Sequence, residues 1–234
     1  MQPWGHGLHH FARFHTKEFD VASKNFLLKA LPLAALMCAS GASHAILTVY
    51  TSQAAFNAAS ASPGVDTYTG FSIIGTTPSP ILRTAGAYSY TATASTSTFF
   101  GAGTTGNPWL STNIATDSIT FNAFSAGVSA FGGNFFGSDI NGLFLAGNVT
   151  LVATDSLGAT STQTIVGPTV TSFLGFVSNA AMTSVVLSAV QGAAPLWPTA
   201  DNVTLATAVP EPGSYALLLA GLGVVGFMAR RRRG

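Results

Sequence analysis

Beyond its first 45 residues this 234-residue chain has no histidine, no lysine and no cysteine. His6, His9, His10, His15 and His44, the lysines Lys17, Lys24 and Lys29, and the single cysteine, Cys38, all fall within that opening stretch. The remainder therefore cannot build a Ser-His-Asp triad, a Cys-His pair, a Schiff-base lysine or the usual zinc ligand sets. A glycine-rich phosphate loop with its lysine is missing too. Without a thiol no disulfide can form, so stability has to come from packing. Charge is also scarce: between residues 46 and 208 Arg83 is the only basic side chain, against Asp66, Asp117, Asp139, Asp155 and Asp201, a net charge of about −4. A nucleic-acid partner needs a basic footprint, and this stretch offers none.

What is present begins with a leader. Lys24 and Lys29 flank a positive region, an apolar run follows over 30–39, and small residues lead to Ala45. That order predicts a secretory signal peptide cut after Ala45, with Ala42 as the alternative, and hence a secretion translocon and a signal peptidase as partners. The residues before Val21 carry four of the five histidines together with Glu18 and Asp20, unusual in a leader, which points to a start nearer Val21. Cys38 follows Met37 rather than the small residue that a lipid-attachment site takes.

The other end is more distinctive. Pro210, Glu211 and Pro212 precede an apolar run over 213–229, and Arg230, Arg231, Arg232 and Arg233 follow it. Proline fixes φ near −65° and pushes the preceding residue to extended geometry, so Glu211 should sit on a stiff strip that neither sheet nor helix absorbs. As a helix the apolar run spans roughly 25 Å, slightly short of the ~30 Å hydrocarbon core, and a transmembrane helix over 213–229 is expected. The arginines would hold its end on the cytoplasmic side. In order and position, these three parts resemble the PEP-CTERM sorting signal of Gram-negative exported proteins. The resemblance implies an exosortase-type membrane protease as partner and an inner-membrane-anchored precursor facing the periplasm. It further implies a mature form at the cell surface or in the extracellular matrix, in association with exopolysaccharide and biofilm.

Residues 46–208 amount to one domain. Thr51 or Ser52 caps a short helix over 53–59, which Pro63-Gly64 should stop. β-prone runs follow over 88–100, 118–124, 128–136 (broken at Gly132-Gly133), 172–177, 183–190 and 202–208. The clearest hairpin lies over 148–166, with Val149, Leu151 and Ala153 facing one way and a turn at Asp155-Ser156-Leu157-Gly158. Eight or so strands without a long amphipathic helix predict an all-β, antiparallel two-sheet β-sandwich, jelly-roll-like, between the signal peptide and the C-terminal helix. Gly132-Gly133-Asn134-Phe135-Phe136, Phe173-Leu174-Gly175-Phe176 and Asp201-Asn202-Val203-Thr204-Leu205 are similar to recurrent strands of sandwich domains in PEP-CTERM proteins.

The remaining chemistry is carboxylate and aromatic. No catalytic residue and no cofactor is assigned, and the expectation is a non-enzymatic protein. Asp139, Asn141 and Asp201 offer hard oxygen ligands for calcium, although turn roles explain them equally. Trp109 and Trp197, each beside a proline, are candidates for stacking on a sugar of an extracellular polysaccharide, and Tyr68, Tyr88 and Tyr90 could add rings. The reading is an exported envelope or matrix protein, structural or adhesive, sorted through residues 209–234. The alternative is a secreted carbohydrate-binding or carbohydrate-active protein using aromatics and aspartates.

Overall fold

The computed structural model describes residues 46–96, 98–209 and 212–231, with the side chains of 212–217 set aside. The expected signal peptide and its cleavage site after Ala45 lie outside the described residues. In chain order the elements begin with β1 (Leu47–Tyr50), α1 (Gln53–Ala59), β2 (Ser60–Asp66), β3 (Thr76–Thr77), β4 (Ile81–Ala85) and β5 (Tyr88–Ala94). They continue with β6 (Phe99–Thr104), β7 (Asn107–Thr112), β8 (Ser118–Asn122), β9 (Ala130–Ser138), β10 (Phe144–Leu145) and β11 (Val149–Asp155). Last come β12 (Thr160–Ile165), β13 (Phe173–Ser178), β14 (Met182–Ala189), β15 (Trp197–Ala208) and α2 (Pro212–Arg231).

The strands form two antiparallel sheets. One runs β1-β13-β9-β15-β7-β6-β3, with β10 added to β9 and β2 to β15; the other runs β12-β11-β14-β8-β5-β4. Their inner faces share one core, in which Phe99, Leu110, Phe131, Phe135 and Phe176 of the first sheet meet Ile119, Phe121, Leu151 and Leu187 of the second. The rings of Phe121 and Phe131 lie 5.1 Å apart across the interface. Fully burying such a side chain is worth about 1.5–3 kcal/mol, so these rings supply much of the cohesion a thiol-free domain needs.

The 148–166 hairpin forms in the expected register, Val149 opposite Ile165 and Thr154 opposite Thr160. Its turn is fastened by Asp155, whose Oδ1 accepts the N–H groups of Leu157 at 3.0 Å and Ala159 at 2.9 Å. Elsewhere the structure differs from the expectation for physical reasons. The run over 88–100 is two strands in different sheets, β5 and β6, because the chain turns a corner where Ser95 and Thr96 donate to buried Asp117. Gly132-Gly133 does not break β9: that strand is buried along its whole length, and the Phe173 ring occupies the space a Cβ on Gly132 would need. Pro63-Gly64 lies inside β2, and α1 ends instead where Ser60 turns extended, its Oγ donating to the Phe56 carbonyl at 2.8 Å. Ser52 holds the N-cap position without a side-chain hydrogen bond.

The C-terminal run is helical, yet among the described residues no helix is long and apolar enough to cross a membrane. The helix expected over 213–229 is present, as Pro212–Arg231.

A polar group centred on Asp66 links the sheets. Asp66, at the end of β2 in the first sheet and 5% exposed, receives Arg83 of β4 in the second through Nε at 2.9 Å and Nη2 at 2.6 Å. Tyr90 of β5 donates to the same carboxylate at 2.8 Å and lies 3.2 Å from the Tyr68 hydroxyl, while the Tyr68 N–H donates to Asp66 Oδ1 at 2.9 Å. The Arg83 guanidinium also stacks 5.0 Å from the Tyr68 ring centre. Burial pushes both phenols well above their ordinary values, so they stay neutral. Burial alone would lower Arg83, but hydrogen bonding and charge from Asp66 outweigh it and raise the guanidinium. Beside this clamp Gly64 passes so close to Ala85 that a Cβ would meet its carbonyl oxygen. Removing the carboxylate strands a part-buried cation, so Asp66→Ala should cost about 3–5 kcal/mol in urea unfolding. Tyr90→Phe, which leaves one acceptor site unfilled, should cost about 1–3 kcal/mol; a loss under ~1 kcal/mol for Asp66→Ala would show that the clamp does not hold the sheets.

Candidate functional site

The first sheet carries a surface cleft of about 160 Å³ lined by Phe100, Ser111, Thr112, Asn113, Asp139 and Trp197, with exposed Ile140 at its rim. These residues come from four adjacent strands and their ends. Trp197 pairs with Ser138 and, two residues on, Thr199 pairs with Ser111, itself opposite Phe100, so a staggered row of the sheet runs from β9 through β15 and β7 to β6. Below the row is a buried hydroxyl group. Thr199 Oγ1 lies 2.8 Å from Ser138 Oγ and 3.1 Å from Ser111 Oγ, and Ser111 donates to the Pro198 carbonyl at 3.1 Å.

Both loops at the cleft are fixed from within. Gln191 Nε2 donates to the carbonyls of Ala115 and Leu196, each at 2.8 Å, and its Oε1 accepts the Leu196 N–H at 3.2 Å. Leu196 is buried, filling the space beside Gly137 and Gly147, and this seats Trp197 at the start of β15. On the other side Asp139 Oδ1 accepts the N–H groups of Asn141 and Leu143, both at 2.9 Å, closing a tight turn. Gly142 takes φ +75° in that turn and rests against Ala102 and the Phe100 ring, a conformation and a contact that both favour glycine. Among the described residues no hydrogen bond reaches Asp139 Oδ2.

The two tryptophans separate. Trp197 is part-exposed in the cleft, whereas Trp109 is 9% exposed, edge-on to Phe136 at 4.8 Å, with its Nε1 buried and unpartnered. Trp109 is therefore a packing residue rather than a stacking surface. Tyr68 and Tyr90 are likewise buried in the sheet clamp, and Tyr88 is half-buried. Asp139 and Asn141 share one turn, but Asp201 pairs with Asn134, about 16 Å along β9 from Asp139. The proposed calcium ligands are not brought together, and among the described residues no group of three or more His, Cys, Asp or Glu is placed to hold a metal. Phe100, Ser111, Thr112 and Asn113 carry no local signal of a site, since only strand order assembles them.

Of the sorting motif, Pro210 and Glu211 lie outside the described residues, as do Arg232 and Arg233. Pro212 opens α2, a position where its missing N–H costs nothing, and Arg230 and Arg231 stand in the last turn, where cations complement the helix dipole. Fold and tail together define an antiparallel two-sheet β protein that ends in a helix with a basic terminus. A family model described as the PEP-CTERM protein-sorting motif matches residues 208–233, and the chain is a PEP-CTERM domain-containing protein. The motif indicates an exported protein targeted to exosortase, a membrane enzyme, by way of a membrane-anchored precursor. Neither a curated protein nor a solved structure matches the chain.

Asp201 marks a strained point in β15. Its Oδ1 accepts the Asn202 N–H at 2.7 Å and its Oδ2 an Asn202 amide hydrogen at 3.1 Å, Asn202 has φ 51°, and the register against β9 shifts between Asp201 and Thr204. Burial raises the carboxyl above its ordinary value of 3.8, and hydrogen bonds from Asn202 and Asn107 only partly offset this. An acid raised on folding binds its proton more tightly folded than unfolded, so its stabilising contribution is present at low pH and is lost as pH rises through the folded value. Thermal melts of the parent and Asp201→Asn should therefore shift in the variant's favour as pH climbs from 3.8 to 7, whatever constant offset the altered hydrogen bonds add. A difference that is flat across that window contradicts the assignment.

Proposed function

We propose that this chain is an exported cell-envelope or extracellular-matrix protein whose β domain acts by association, not catalysis, after its tail has held it at the inner membrane for exosortase. The motif match at 208–233 carries this reading. It follows directly on β15, which ends at Ala208, and the Val209 N–H still donates to the Ala59 carbonyl at 3.1 Å. The fold is complete one residue before Pro210, so the described domain is one unit of cargo with the signal attached at its edge. The association reading draws support from the use made of the aspartates. Asp66 holds Arg83, Asp117 fastens a corner, Asp139 and Asp155 close turns, and Asp201 sits in a bulge. A carbohydrate-active enzyme needs two carboxylates flanking a bond, and these five are committed to separate structural tasks. Surface location, and a part in exopolysaccharide or biofilm, follow from the same proposal.

Intact-mass analysis of protein from cells and medium tests the proposal. With exosortase present the parent should lose its C-terminal tail, while a chain with Pro210, Glu211 and Pro212 replaced by alanine should keep its full tail and stay with the membrane fraction. Equal processing of both would remove the motif from the account.

A further inference from the structure

We propose that the cleft between Phe100 and Trp197 is a binding site for one neutral hexopyranose ring of an extracellular polysaccharide. A pyranose has an apolar C–H face and a girdle of hydroxyls, and the cleft offers a counterpart to each. Two part-exposed aromatic rings and Ile140 supply apolar surface. Asp139 supplies a carboxylate oxygen, Oδ2, that accepts no hydrogen bond among the described residues, while its other oxygen is occupied by the turn that fixes it in place. A carboxylate accepts hydroxyl donors strongly. Exposed Asn113 adds an amide that both donates and accepts.

Size and charge narrow the ligand. A volume of about 160 Å³ lies below the roughly 300 Å³ at which pockets for drug-sized ligands begin, so one ring is accommodated and the polymer continues along the surface. No cationic side chain lines the cleft, and Arg83, the only basic residue between 46 and 208, is held by Asp66. Uronates and phosphorylated or sulfated sugars would set an anion against Asp139 with nothing to neutralise it. The site is preorganised, because Gln191 and Leu196 fix the Trp197 loop and Gly142 seats the Asp139 turn against Phe100. The inference deepens the association reading, on which it rests only for where the sugar is met.

Affinity electrophoresis of the full chain in a polyoxyethylene detergent tests it, with a neutral glucan, mannan or galactan in the gel and polygalacturonate as the acidic comparison. At least one neutral polymer should retard the parent, and polygalacturonate should not. Asp139→Asn keeps an Oδ1 for the turn and replaces the accepting Oδ2 by a donor, so it should weaken retention at least tenfold with an unchanged melting transition. Trp197→Ala should do the same, and where it lowers the melting temperature Asp139→Asn decides. Failure of all three neutral polymers to retard the parent, equal retardation by polygalacturonate, or parent-like retention of Asp139→Asn would each overturn the proposal. Tail processing of these variants should match the parent's, so loss of sugar binding and loss of sorting are read separately.

Discussion

Among the described residues the Asp66–Arg83 ion pair crosses between the two sheets of this domain, and much of the structure is arranged to make that pair tolerable. Taking a carboxylate and a guanidinium out of water costs several kcal/mol per ion before any attraction returns it. Asp66 and Arg83 meet that cost with a two-point contact, a phenol, a backbone N–H and a ring beneath the guanidinium. The surroundings follow from it: Tyr68 and Tyr90 must stay neutral, and Gly64 must lack a side chain so that β2 can approach β4.

The same economy governs the other carboxylates. In a chain with so few charges, carboxylates are not spread over the surface as solubilising groups. Asp117 and Asp155 are buried at 2% exposure each and gather hydroxyl and amide donors where the backbone changes direction. Solubility is left to the hydroxyls of serine and threonine, which line the outward face of strands such as β11 and pair across to β12. A domain built in this way has few groups free for chemistry, and its recognition surfaces are made from aromatics, amides and the occasional unspent carboxylate oxygen.

What the sequence revealed and what it hid divide along the range of the interactions. The β11–β12 hairpin was legible because alternation of Val149, Leu151 and Ala153 and the Asp155 turn are local facts. The tail was legible because its order of proline, apolar run and arginine is local as well. The split of 88–100 was hidden, since it depends on Asp117, more than twenty residues away, and the unbroken β9 depends on a phenylalanine from β13. Trp109 and Trp197 look alike in sequence, each next to a proline. Only strand order packs one against Phe136 and leaves the other in the cleft.

The position of β15 links fold to handling. It is the last strand of the domain, yet it lies inside its sheet, bonded to β9, β7 and β2. The sheet therefore cannot close until the chain is present as far as residue 208. Between Ala208 and Pro212 only three residues intervene, at most roughly 14 Å of extended chain, and the first of them is already tied to Ala59.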